Sequence, residues 1–415
     1  MRAIIHVQSM PEKNPMRIGM LADAYKPHVS GVTSYISLNK RSLEAVGHEV
    51  YVFTFGGDDY DDDEPNIVRT RGLPIVDTGL YISVRYSNQA QKLLRTMDLV
   101  HVHHPFTSGR LAIRYCRPEG IPIVFTNHTR YDLYVQAYLP VIPEALGDAF
   151  LRAYLPPFCR SCDLVIAPSH GLRDVLRRLG VDAPIEVVPN GVDIEPFRFP
   201  DKTIPREQLG FKPTDVILTY MGRLGPEKNL VFLLRAFAGL TKTYDQVRLL
   251  VIGDGPEKDN LMDRAGYMGI ADRVVFTGMI PYRELPAYLS MADAFVTASV
   301  TEVHPLSVIE AMAAGLPVVG IASPGISDTV EDGVTGLLAP EEDLAVFTAK
   351  LTRMVVENES RALMSRRARE AVEAFSIKHT TEVMLTHYER LVQASSRRKR
   401  SFWTRLTRRL AKEDL

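Results

Sequence analysis

The feature that most restricts this chain is a rhythm: short apolar runs recur along it, each closed by a Gly, Pro or polar cluster and followed by a segment of helical period. Runs that stay apolar instead of alternating belong to strands covered on both faces, which is the signature of βαβ units and parallel sheets. Residues 17–22, 49–54, 98–103, 122–126, 163–167 and 186–188 are the strands predicted for the first half. The pattern restarts with 216–221, 248–252, 273–277, 293–297 and 317–321. Between the two series, 189–212 is rich in Pro and charge and poor in apolar period, as a linker is. A chain of 415 residues that is 46% apolar suits two domains of about 150–200 residues better than one core. The fold class predicted is α/β, two doubly wound domains facing a cleft, with ligands beyond the carboxyl ends of the strands. The expected division is an N-terminal extension at 1–15, a first domain at 16–195 completed by a helix at about 376–394, a second domain at 196–375, and a tail at 395–415.

Charge separates that tail from the rest. Lys and Arg number 49 against 50 Asp and Glu, yet 395–415 holds eight basic and two acidic residues, leaving an acidic body. A net charge of -1 gives the whole chain no polyanion-binding character, so no nucleic-acid partner is expected. Three cysteines are too few and too odd for a disulfide framework and predict a reducing, cytoplasmic compartment. Cys159 and Cys162 have CxxC spacing without a second pair, and read as buried thiols. No run reaches the roughly 18 apolar residues of a spanning helix. His101, His103 and His104 look like a metal cluster, but in a strand the first two share a face and the third points away. The acidic run from Asp58 to Glu64 lacks calcium-loop spacing and reads as a solvated loop.

Two familiar phosphate-binding patterns are missing. No strand runs into GxGxxG, since Gly253 and Gly255 lack the third glycine, and the 222–228 segment does not have P-loop spacing. That pair reads as a tight turn. The stretch Gly222, Arg223, Gly225, Lys228 instead leaves the first strand of the second half with two cations five residues apart, able to straddle a diphosphate or simply to face solvent. Farther on, Glu302 lies in the loop before a helix and Glu310 inside its first turns. Two carboxylates so spaced can reach hydroxyls on two rings of one elongated ligand, or serve only as partners of the helix dipole.

Taken together, Gly222-Arg223 with Lys228, the Glu302–Glu310 pair, Pro189-Asn190-Gly191-Val192-Asp193 and the Gly333–Gly336 turn resemble glycosyltransferase family 4, of GT-B fold with two Rossmann-like domains, over roughly residues 16–390. The resemblance implies an acceptor-side first domain, a nucleotide-sugar-binding second domain, and transfer with retention that needs no metal or other cofactor. It implies that Glu310 holds ribose hydroxyls, Arg223 and Lys228 the diphosphate, and Glu302 the sugar ring, with Gly278 and Met279 against the base. Gly31 matches the second glycine of the family's first loop, facing donor phosphate and acceptor, while Ser30 stands where the first glycine is usual. Pro305 replaces a commoner glycine and removes an amide donor, so Leu306 and Ser307 must supply theirs. His128, at the carboxyl end of the 122–126 strand, would hydrogen-bond the transferred sugar.

The acceptor side is less defined. Residues 127–157 are rich in aromatics, Tyr131 and Tyr134 among them, and the run from His128 to Tyr134 is similar to that of bacterial enzymes that glucosylate diacylglycerol. In the tail, Phe402, Trp403, Leu406 and Leu410 share one helical face flanked by Arg405, Arg408 and Arg409, the pattern of an interfacial helix on anionic lipid. The leading expectation is a hexosyltransferase using a UDP-hexose such as UDP-glucose and a lipid acceptor, peripheral to the inner face of the membrane. A soluble or glycan acceptor, or a nucleotide-sugar epimerase or binding module of the same fold, are the alternatives.

Overall fold

The computed structural model describes residues 15–28, 30–57, 60, 62–75, 80–133 and 143–413, with the backbone alone beyond residue 397. In chain order the first strands are β1 (Arg17–Leu21), β2 (Glu49–Gly56), β3 (Ile67–Arg71), β4 (Leu73–Ile75), β5 (Leu80–Ile82), β6 (Leu99–Val102), β7 (Ile123–Thr126), β8 (Leu164–Ala167) and β9 (Ile185–Val187). The second series is β10 (Val216–Met221), β11 (Val247–Ile252), β12 (Val274–Gly278), β13 (Ala294–Val296), β14 (Val318–Ile321) and β15 (Gly336–Ala339). Seven strands form one parallel sheet in the order β3-β2-β1-β6-β7-β8-β9, and six form another in the order β12-β11-β10-β13-β14-β15. β4 and β5 make a separate antiparallel hairpin. These are two Rossmann-like sheets, and in each the order reverses beside its first strand. The chain leaves β1 and β6, or β10 and β13, in opposite directions and opens a crevice at their carboxyl ends.

Each predicted strand is present within two residues of its expected bounds, because β6, β7, β8, β13 and β14 are buried at every position. β3 and β15 were not expected. Both lie at sheet edges. β3 is Ile-Val-Arg-Thr-Arg, with only two apolar residues, while β15 is only Gly-Leu-Leu-Ala, a composition with little intrinsic strand preference. The 189–212 segment is more than a linker. Val192, Ile194, Phe197 and Phe211 are buried in the core beneath the second sheet, around a short helix Glu195–Arg198. Single apolar anchors at irregular spacing leave no period for a pattern to reveal.

The last helix, Ile377–Glu413, returns to the first sheet. Met384, Leu385 and Tyr388 are buried against helix Gly31–Ala45 and β6, in one apolar cluster with residues of β1 and β2. Charge set the tail apart at 395, but the backbone does not break there. One helix runs through to 413, about 55 Å at 1.5 Å per residue, and the Ser395 hydroxyl donates to the Gly120 carbonyl at 2.6 Å. To arrive there the chain crosses itself at Gly191. Val192 and Ile377 are joined by the bond from Ile377 N to Val192 O at 2.8 Å, and a Cβ on Gly191 would collide with Thr380 Oγ1 and with the Ile377 backbone. Gly191→Ala is therefore expected to destabilise the protein by about 1–3 kcal/mol through overpacking. Thermal unfolding checks this, and a melting temperature equal to wild type would show that the crossing tolerates a side chain.

Candidate active site

Two loops meet at the reversal point of the second sheet. After β10, Gly222 adopts φ 155°, and a Cβ on Gly253 would overlap its carbonyl; one on Gly255 would meet the Leu224 backbone. The two glycines after β11 are thus a tight turn, as read, whose function is to let one loop lie directly on another. Bonds from Gly222 N to Ile252 O (3.0 Å) and Leu224 N to Asp254 O (2.9 Å) brace it. From the other side, the Ser299 and Thr301 hydroxyls donate to the Glu227 carbonyl at 3.4 and 3.3 Å. This double bracing brings Lys228 Nζ to 2.7 Å from Glu302 Oε1, with both side chains less than a fifth exposed. Arg223 is half exposed, 3.7 Å from Glu227. Burial and then the Arg223 charge lower the pKa of His28, which places Arg223 opposite the loop that follows β1.

The helix Leu306–Ala313 starts at the same place. Pro305 is its N-cap residue and no side chain caps it, so the first amides, those of Leu306 and Ser307, carry the positive end of the helix without an internal acceptor. Glu310 lies buried within this helix, and the Tyr282 hydroxyl donates to it. Burial raises its pKa to about 7 although that hydrogen bond opposes the rise. Tyr282 follows Gly278, at φ 72°, and the exposed Met279, and its ring meets Phe197 edge-on. Sequence reasoning missed Tyr282, which has no signal beyond its position shortly after a strand end. It also missed His304, whose Nδ1 accepts from Asn190 N at 3.3 Å while its carbonyl accepts from Asn190 Nδ2 at 2.8 Å. Val303, between Glu302 and His304, is buried in the core of the first half, so the Glu302 loop is held by both halves.

Across from it stand the loops after β1, β6 and β7. The Asp23 carboxylate accepts from Thr107 N and Ser108 N at 3.3 and 2.6 Å, fixing the start of helix Thr107–Cys116. Ser30, in place of the glycine of the resemblance, caps helix Gly31–Ala45 by accepting from Thr33 N, and Gly31 has open space beside it. His128 follows β7 with its Nε2 3.1 Å from His103 Nδ1. His101 and His103 do share a face, their rings 4.3 Å apart, and His104 turns away to accept from Asp23 N. Desolvation pushes the pKa values of His103 and His128 well below the usual range, so both rings are neutral at pH 7.

Tyr131 packs edge-on to Phe106, at the end of a ring series through Tyr154 that reaches the buried Phe158 on one side and the exposed Phe150 on the other. Tyr134 lies outside the described residues, as do the side chains of Phe402, Trp403, Arg405, Arg408 and Arg409 and all of 1–14. The acidic run is not a wholly solvated loop, the reading its sequence suggested. Asp62 forms a two-point pair with Arg69, and Glu64 is held by Lys26, Tyr25 and Ser37, because two cations of neighbouring segments turn these carboxylates inward instead of leaving them solvated. The three cysteines are free and buried, and burial pushes the Cys116 and Cys159 thiols up to about 12. Among the described residues no helix is long and apolar enough to cross a membrane.

The model for glycosyl transferases group 1 matches residues 201–371 and that for glycosyltransferase family 4 matches 29–196. The chain is 33% identical to an alpha-monoglucosyldiacylglycerol synthase of Streptococcus pneumoniae over 80% of this chain and 77% of that one. It is 31% identical to the enzyme of the same name from Acholeplasma laidlawii over 78% and 84%. A GDP-mannose-dependent alpha-mannosyltransferase of Corynebacterium glutamicum matches at 27% over 92% and 91%. The fold is shared with a sucrose-phosphate synthase of Thermosynechococcus elongatus (TM-score 0.75, 23% identity, covering 91% of this chain and all of that one). It is shared too with an Anabaena protein solved with UDP and glucose (TM-score 0.71, 20% identity, 90% and 99%). The chain belongs to glycosyltransferase family 4, the group 1 glycosyltransferases, and is an enzyme of that kind with the GT-B fold.

Proposed function

We propose that this glycosyltransferase moves a hexose from a UDP-sugar to a membrane lipid such as diacylglycerol, with retention at the anomeric carbon. The observation that carries the donor half is the meeting, at the β10/β13 reversal, of Arg223, Lys228 and the uncapped start of helix Leu306–Ala313 beside Glu302. Two cations and two free amides suit a diphosphate. Glu310 then takes the ribose hydroxyls, Gly278 and Met279 flank the base, Gly31 lets backbone approach phosphate and acceptor, and Glu302 and His128 orient the sugar. As the bond from anomeric carbon to phosphate oxygen breaks, charge gathers on the diphosphate, where Arg223, Lys228 and the amides are already in place. The acceptor hydroxyl forms the new bond on the same face and gives its proton to the departing phosphate oxygen. The Lys228–Glu302 pair is preorganisation for this step: it holds a cation for the leaving group and a carboxylate for the sugar at one point. In this reading 16–195 with the helix at about 376–394 is the acceptor side and 196–375 the donor side.

The lipid acceptor is supported by the names of the two alpha-monoglucosyldiacylglycerol synthases, by the ring series from Phe158 to the exposed Phe150, and by the basic end of the last helix, whereas relatives of 31–35% identity named D-inositol 3-phosphate glycosyltransferase supply the competing soluble acceptor. The same features support a peripheral location at the cytoplasmic face of a membrane. Incubation with labelled UDP-glucose, UDP-galactose or GDP-mannose, and with diacylglycerol vesicles or inositol 3-phosphate, tests donor and acceptor together. Label from a UDP-hexose is expected in the organic phase. Label in the aqueous inositol product would overturn the lipid reading.

The two carboxylates separate by kinetics. Glu310→Ala is expected to raise the donor KM and Glu302→Ala to lower kcat, each loss of a charge-assisted hydrogen bond amounting to about 1.5–3 kcal/mol. Steady-state kinetics that leave both constants at wild-type values in both variants would remove these assignments.

Acidity gives an independent check on Glu310. With its pKa raised to about 7 by burial, the group is protonated below that pH and must lose its proton before it can accept from two ribose hydroxyls. Donor affinity should therefore fall as pH drops through 7 and level off above it, and Glu310→Gln should flatten the profile. Titration calorimetry between pH 6 and 8 measures this, and an identical slope in wild type and variant would exclude Glu310 as its source.

The tail has its own test. Each basic residue near an anionic surface contributes about 1 kcal/mol, and seven lie in 398–415. Deleting 398–415, which spares the Ser395–Gly120 bond, should abolish sedimentation with anionic vesicles and leave nucleotide-sugar affinity unchanged. Equal sedimentation of both forms would move the membrane contact elsewhere.

A further inference from the structure

A buried file of rings joins the last helix to the cleft, and the proposed reaction uses only its outermost member. Tyr388, on helix Ile377–Glu413, bonds His101 Nδ1, and His101 Nε2 meets Thr126 Oγ1 at 2.7 Å. The His103 ring lies 4.3 Å from that of His101, and His128 lies 3.1 Å beyond through Nδ1 to Nε2. Tyr35 packs edge-on to both His103 and His128, at 5.7 and 4.7 Å. Both ring nitrogens of His101 are engaged, so its orientation is set, and it walls one side of His103. His103 is completely enclosed, and its Nε2 is buried with no hydrogen-bond partner.

That bare nitrogen decides where the protons are. A neutral imidazole carries one N–H. If the proton of His103 were on Nε2, a donor would be buried without an acceptor, whereas a proton on Nδ1 leaves only a lone pair unmatched. Orphaned buried N–H groups are the rarer and costlier defect. The Nδ1–H must then donate to His128 Nε2, which can accept only if it is unprotonated, and neutral His128 consequently bears its proton on Nδ1.

We infer that His103 is a positioning residue that locks His128 in the Nδ1–H tautomer, so that His128 offers the cleft a hydrogen-bond donor and not an acceptor. The ligand atom it suits is an oxygen of the transferred sugar acting as acceptor. This inference rests on the proposal that His128 faces that sugar. It also gives the last helix a part in the site, since Tyr388 anchors the far end of the file.

Nitrogen NMR reads the tautomer directly. In the full chain labelled with 15N-histidine, the His128 signals are those lost in His128→Asn, and long-range proton–nitrogen correlations distinguish a protonated from a bare ring nitrogen. The expected result at pH 7.5 is a protonated Nδ1 and a bare Nε2, and the reverse pattern in wild type overturns the inference without any variant at His103. In His103→Leu, which removes the donor, the His128 signals should show mixed tautomers and kcat should fall about tenfold, the size of one hydrogen bond, with donor KM within twofold. His103→Asn, whose amide nitrogen stands near the position of Nδ1, should restore tautomer and most of kcat. Equal losses in both variants, or no change in the tautomer of His103→Leu, would contradict the positioning role. Wild-type turnover in His128→Asn together with the expected tautomer would instead count against the sugar contact of His128 and leave the role of His103 standing.

Discussion

Gly191 and Thr380 occupy a crossing that has no room for a side chain, and much of the molecule depends on it. A parallel sheet must be covered on both faces. The segments before residue 190 leave one face of the first sheet open beside helix Gly31–Ala45, where Met384, Leu385 and Tyr388 later fill it. Covering that face requires the chain to traverse the whole second half and return beside its own exit point, and the Val192–Phe375 and Ile377–Val192 backbone bonds are where it does so. The first half is thus completed by the last helix. Because Tyr388 belongs to that helix, the same return also anchors His101 and, through it, the histidine file behind the cleft.

The two walls of the cleft have opposite electrical character, for a physical reason. The second sheet presents fixed charge, with Lys228 against Glu302 and Arg223 beside Glu227, braced by two loops packed backbone to backbone. The first sheet presents rings kept neutral by burial, His103 and His128, with a buried tyrosine at their edge. In the proposed reaction the charged wall suits a diphosphate leaving group, which needs preorganised charge, and the neutral wall suits a sugar ring, which needs directed hydrogen bonds and exclusion of water. Contacts that cross between the halves, such as Gly171 N to Asp328 Oδ2 at 2.8 Å and Asn190 to His304, hold the walls in register. Glu310 stands apart from both. It is a carboxylate buried so deeply that its protonation changes near neutral pH.

The proposed acceptor side combines features that were separate along the chain. The ring series from Phe158 through Tyr154 to Phe150 passes from core to surface on helix Glu144–Arg160, with Leu146 exposed one turn before Phe150. The last helix is continuous from 377 through 413, so the basic end belongs to the same helix that Met384 and Tyr388 root in the first half.

Fold class and strand positions were legible in the sequence, and the charged residues of the candidate site were named there from a family resemblance. A strand buried on both faces must be apolar at every position, whereas Arg223, Lys228, Glu302 and Glu310 stand out only as a set, through the resemblance to a family. What was not legible depended on distant partners. The inward turn of Asp62 and Glu64 required Arg69 and Lys26. The anchors within 189–212 required the underside of the second sheet, and Tyr282 became part of the site only because Glu310 came within reach of its hydroxyl. The three histidines of the first sheet show the division most clearly. Strand geometry in the sequence places His101 and His103 on one face, but only the tertiary structure brings His128 to one end of the file and Tyr388 to the other. Periodicity is a local property, set by backbone geometry within a few residues. A hydrogen bond between positions 287 residues apart is decided by packing alone.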